Sequence, residues 1–120
     1  MIRHDARFHQ IRQKLIEMAK DRKLINYGYF IRGGYGVGRG QGNPGQIGTV
    51  LGDICEYENS MGHPLLSAIC VLKSTGMPSS GFWDLQFIPQ SIRNGSAEQK
   101  RRFWEAERDK VFNYWQRHDP

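Results

Sequence analysis

The sequence predicts an α+β fold, mainly helical, in a single domain spanning 1–120, and three observations carry that expectation. Apolar residues recur at helical spacing in three long stretches. One short apolar run bounded by turn residues reads as a strand. Eight glycines fall within residues 33–48 and bar regular structure over most of that segment. With 120 residues, 38% of them hydrophobic and 24% charged, the chain has the make-up of one globular domain with one modest core.

The elements follow in order. Residues 5–22 place Phe8, Ile11, Leu15 and Met18 on one helix face, with Ile16 and Ala19 beside them. Asp5 caps this helix by accepting from the free amides of its first turn. The piece 24–31 forms a short second helix capped by Asn26 and weakened by Gly28. A glycine-rich loop covers 33–43. Asn43-Pro44 then pairs an N-cap with proline at the first helical position, so the third helix runs from about 44 to 58. Ile47, Val50, Leu51 and Ile54 face inward there, and Gln46, Thr49, Asp53 and Glu56 face outward. Residues 65–73 read as a buried strand and 74–81 as a turn. Residues 82–87 read either as a returning antiparallel strand or as one helical turn. After a loop at 88–95, Ser96 and Gln99 have capping-box spacing for a terminal helix over 96–117. Its aromatic stripe reads as core packing. Helix, short helix, helix, strand, turn, strand is a winged-helix-like order, with the third helix for recognition, a small β-wing and an appended C-terminal helix.

Charge points to a polyanion. The net charge is +5, and nine Lys/Arg against three acids lie within residues 1–40. Residues 41–90 hold one base, Lys73, against Asp53, Glu56, Glu58 and Asp84. Clustered cations of this kind are rewarded chiefly by phosphate neutralisation. The longest apolar stretches, such as 65–72, are too short to span a bilayer, and no signal-like segment opens the chain, so the expected location is the cytoplasm. Cys55 and Cys70 make neither a disulfide framework nor a metal cluster. His4, His9, His63 and His118 lack metal-ligand spacing, so no metal and no cofactor are expected.

The stretch from Phe8 to Phe87 resembles the DNA-binding half of O6-alkylguanine-DNA alkyltransferases and the alkyltransferase-like proteins. Asn26-Tyr27-Gly28 stands at the family's Thr/Ser-Tyr-Gly helix start. Ile47-Gly48-Thr49-Val50-Leu51 stands at its Val-Gly-x-Ala-Leu recognition core, Pro64 opens the active-site segment, and Gly76 falls in the wing. The resemblance implies a duplex-DNA binder in which Tyr27 matches the tyrosine that helps rotate a nucleotide out of the stack. Pro64 is followed by Leu65-Leu66-Ser67, so the Cys-His pair that accepts the alkyl group is missing. Cys70 has no base or cation in sequence view and reads as a core residue. The family's intercalating arginine is replaced by Gly45 and Gln46, with Arg39 in the preceding loop as the nearest substitute. No enzymatic activity is expected.

The expected DNA contacts are therefore Tyr27, Arg32, Arg39, Asn43, Gln46, Thr49 and Lys73, with amides and hydroxyls facing bases or phosphates and the cations holding the backbone. Gly40-x-Gly42-x-x-Gly45 formally matches a dinucleotide fingerprint but follows no strand; its amides at a helix start suit a DNA phosphate better. Asp53, Glu56 and Glu58 read as a solvated helix face. Two other partners compete with duplex DNA. Single-stranded RNA suits the Arg32–Arg39 segment, where arginine and tyrosine sit on a glycine chain. A protein partner, or a second copy, suits an apolar stripe carrying Trp104 and Trp115 on the terminal helix.

Overall fold

The computed structural model describes residues 5–43 and 45–119. Its elements are α1 (Ala6–Lys20), β1 (Ile25–Asn26), α2 (Tyr27–Arg32), α3 (Ile47–Ser60), a 3-10 helix (Leu66–Ile69), β2 (Cys70–Val71), α4 (Ser80–Trp83), α5 (Gln90–Arg93) and α6 (Ala97–Arg117). The fold is α+β and mainly α, with one two-stranded sheet.

The local signals act as their chemistry requires. The Asp5 carboxylate accepts from the Arg7 and Phe8 amides at 3.0 and 3.2 Å, and hydrogen bonding from Arg7 holds its pKa below the usual carboxylate range. Asn26 Oδ1 accepts from the Tyr29 amide at 2.9 Å and starts α2. Ser96 and Gln99 exchange side-chain and backbone bonds in a full capping box that starts α6.

The segment after Pro64 departs from the strand expected over 65–73. Leu66–Ile69 is a 3-10 helix, and only Cys70 and Val71 are extended. An apolar run buried on every side carries no period, so its sequence does not separate strand from helix. All four residues of this turn are buried, and it packs against α1, α3 and α6 at the centre of the molecule. Side chains from two helices fix it there. The Trp104 indole donates to the Ala68 carbonyl at 2.8 Å, Glu107 accepts from the Leu65 amide at 2.8 Å, and the Cys55 thiol and Ser67 hydroxyl share a 2.8 Å bond. Trp104 and Glu107, three apart, reach from one face of α6.

The sheet also differs in kind. β2 pairs in parallel with β1, Ile25 opposite Cys70 and Asn26 opposite Val71. Residues 82–87 do not return as a strand; Ser80–Trp83 is a helical turn that buries Phe82. Leu72 donates to Met77 O, and Gly76 donates to Leu72 O, so the segment after β2 folds back as a turn.

Phe8, Ile11, Leu15, Ile16 and Ala19 of α1 meet Val50, Leu51 and Ile54 of α3 and Val111, Phe112 and Trp115 of α6 in the core. Each such large side chain contributes about 1.5–3 kcal/mol by leaving water. Trp104 and Trp115 are 3% and 1% exposed, so the stripe considered for a partner faces the core.

Candidate nucleic-acid interface

α3 begins three residues later than its sequence suggests. Gln46 is its N-cap residue and makes no side-chain cap bond, while Pro44 lies outside the described residues. The first turn is satisfied by the glycine loop instead. Ile47 and Gly48 donate their amides to the carbonyls of Gly38 and Gly40, both at 2.8 Å, and Gly38 donates to Gly45 O at 2.8 Å. Loop carbonyls therefore already occupy two of the amides at the helix start, those of Ile47 and Gly48.

This close apposition requires glycine at two places. Gly40 has φ of +101°, a left-handed conformation that other residues adopt only with strain. At Gly48 an added Cβ would stand 2.7 Å from Gln41 Cβ and 2.8 Å from Gly40 O. Glycine there lets the loop backbone lie on the helix.

The polar residues of the predicted interface divide accordingly. Thr49 Oγ1 accepts from the Gly42 amide at 2.8 Å, and Gln46 Oε1 accepts from the Asn43 amide at 3.0 Å. Both side chains hold the loop. The Asn43 residue is exposed beside them. Tyr27 is half-buried, and its hydroxyl accepts from the Ser79 amide at 2.9 Å, which ties α2 to the start of α4. Burial pushes the Tyr27 phenol pKa up.

Tyr27 and Arg39 line one cleft of about 280 Å³ with Gln41, Ile47, Gly48 and Ser79. It continues inward as a space of about 20 Å³ bounded by Ser67, Gly52 and Gly81, barely enough for a water. Gln41 lines both, carried on the loop between two left-handed glycines, Gly40 and Gly42. Arg32 is exposed and its guanidinium lies over Gly28, where an added Cβ would meet Nη1 at 2.7 Å. Lys73 is not brought to this cleft; it lines a separate groove with Lys14 and Leu24. Tyr35, the aromatic of the Arg/Gly segment, is partly buried with its ring edge-on to Phe30 at 5.1 Å.

The basic N-terminal third is largely consumed inside the chain. Arg7 pairs with Asp5, Arg12 with Glu58, Lys14 weakly with Glu17 and Lys20 with Asp119. Arg22 donates to Asn113 and Gln116. Lys23, Arg32 and Arg39 make no ion pair among the described residues; Arg32 immediately precedes the glycine loop and Arg39 lies within it.

Glu58 corrects a sequence expectation. It is fully buried rather than part of a solvated face. Arg12 Nε donates to it at 2.7 Å, and His63 Nδ1 lies 3.0 Å from its other oxygen. Arg12 also stands over the rings of Tyr57 and Trp115, at 5.1 and 5.4 Å. The cluster ties α1, α3 and α6. Its sequence signal is faint, because Arg12 and Glu58 are 46 residues apart.

Neither thiol is placed to react. Cys55 and Cys70 are both fully buried, and burial raises the Cys55 pKa to about 11 and pushes Cys70 up as well. Among the described residues no group of three His, Cys, Asp or Glu could hold a metal ion, and no helix is long and apolar enough to cross a membrane. No family model, curated protein or solved structure matches the chain.

Proposed function

We propose that this chain is a cytoplasmic, non-catalytic DNA-binding protein of alkyltransferase-like character that receives duplex DNA on the face formed by the glycine loop and the start of α3. The observation that carries this reading is the pair Arg32 and Arg39: most other described cations of the N-terminal third are engaged internally, while these two have no ion pair among the described residues, Arg39 lining the Tyr27 cleft and Arg32 lying over Gly28. Arg39 and Arg32 contact the phosphates, and Asn43 is the exposed amide nearest the groove edge of α3. Gln46 and Thr49 act indirectly by ordering the loop. A buried, high-pKa thiol pair supports binding without alkyl transfer.

The test is fluorescence anisotropy with labelled duplex DNA and with single-stranded RNA of equal length, over a salt series. Duplex binding with a steep negative salt slope is expected. Replacing Arg32 and Arg39 together by alanine should flatten that slope by about two units, roughly one per lost phosphate contact. Unchanged affinity in the double variant sinks the assignment, and preference for the single strand moves the function to the loop alone. Tyr35, packed edge-on against Phe30, makes the RNA reading the weaker one.

A further inference from the structure

Among the described residues, three of the four large hydrophobics that stay exposed, Leu24 (38%), Tyr29 (41%) and Leu72 (36%), fall in one place. With Met18 of α1 they line a groove of about 420 Å³ crossed by both strands of the sheet. Ligand pockets commonly begin at about 300 Å³. The groove's lining charges are two lysines, Lys14 and Lys73, and no acid lines it. Lys14 does face Glu17, but at 4.0 Å and with Glu17 largely exposed, a pairing that contributes little. Its ammonium also stands 5.2 Å from the centre of the Tyr29 ring, at the edge of the apolar surface.

We infer that this groove is a docking site for a segment of another protein that carries an apolar anchor side chain flanked by aspartate or glutamate. The complementarity is twofold. Exposed aliphatic surface gains by covering with an apolar side chain, and two lysines contributed by different elements, α1 and the segment after β2, are matched by acids on either side of the anchor. A nucleic acid fits less well, because nucleic-acid interfaces are polar and strongly basic, whereas Met18, Leu24 and Leu72 offer a phosphate nothing to bind. The site is distinct from the proposed DNA face, since Arg39 and Gln41 line the Tyr27 cleft and only Leu72 borders both.

The experiment selects a displayed library of short random peptides against the full chain, then measures the enriched sequences as labelled synthetic peptides by anisotropy. Enrichment of a Leu, Met or aromatic residue with neighbouring Asp or Glu is expected. Leu72→Asp should weaken such peptides by about tenfold or more, the scale of losing an anchor contact. Lys73→Glu, an exposed change that leaves the core alone, should weaken them in the same direction. The inference is overturned if no peptide is enriched, if enriched peptides are basic, or if both variants bind them as the wild type does. It is also overturned if the two substitutions lower DNA affinity without touching peptide binding, or if sedimentation shows a dimer that Leu72→Asp dissolves. Circular dichroism of each variant confirms that a loss reflects the groove and not unfolding.

Discussion

At its N-terminus α3 is fastened main chain to main chain, by glycine carbonyls that meet the Ile47 and Gly48 amides; at its C-terminus it is fastened by charge, through a buried Glu58 between Arg12 and His63. The first end carries the exposed glycine loop, with Val37 and Ile47, 8% and 3% exposed, packed beneath it. The second is sealed under Tyr57 and Trp115. Local stability is set by such differences in burial, and the parts of a fold that bind or move are drawn from its weaker end. The proposed DNA face lies at the weak end of α3, and the rigid end carries no candidate site.

The comparison breaks most visibly at Glu58. Glu58→Ala leaves the Arg12 guanidinium without its carboxylate in a mostly buried position, and a loss of about 3 kcal/mol is expected in urea denaturation. DNA affinity at a temperature where the variant remains folded should be unchanged. A loss below about 1 kcal/mol would mean that the C-terminal end is no better held than the other.

Cys55, between the two ends, gives the next effect. Its folded pKa of about 11 lies above its ordinary value of 9.0, so the thiol form is favoured by folding. The associated stability is complete below about pH 9 and falls as pH rises toward 11, by about 1.4 kcal/mol per unit over that window. Buried Cys70 adds to the same trend. Urea midpoints at pH 7, 8 and 10 should be nearly equal for the first pair and lower for the last. A midpoint independent of pH across this range would show that the α3 interior opens to water.

The smallest effect on stability should come from the loop, and there function pays instead. Gly40→Ala meets a φ of +101°, at a cost of about 1–2 kcal/mol confined to the loop. Because Gly40 O is the acceptor for Gly48, the strain also loosens the seat of Arg39. Reduced duplex affinity with a nearly native melting curve is the expected result. The reverse pattern, intact binding with a large stability loss, would make the loop a structural clamp.

What the sequence made legible is what its short-range chemistry determines. Asp5, Asn26 and the Ser96–Gln99 pair announce their helices because each cap acts within three residues of itself. The core faces of α1 and α3 follow from apolar spacing in the same way. The sequence misleads where the deciding partner is remote. Leu66–Ile69 turns as a 3-10 helix under Trp104 and Glu107, which lie 36 and 42 residues from the atoms they bind, and Glu58 is drawn inward by Arg12. The candidate site fails to show itself for a different reason. Gln46 and Thr49 have the donors and acceptors expected of base readers, but the glycine loop claims a side-chain acceptor of each, and glycine main-chain bonds leave no side-chain pattern.

The parallel pairing of Ile25 with Cys70 has a consequence for the order in which the molecule assembles. Bringing those positions together closes a long stretch of chain, at an entropic cost on the order of 3 kcal/mol, against the few bonds of two-residue strands. The pairing is therefore expected to follow the docking of the central 3-10 helix on α1, α3 and α6, which carries Cys70 into place. Everything enclosed by that pairing on the β1 side, α2 and the glycine loop included, then acquires its final form late. Val71→Ala should accordingly speed unfolding in stopped-flow traces and leave the folding limb nearly unchanged. A newly made chain would thus complete its helical interior before it owns the face proposed to receive DNA.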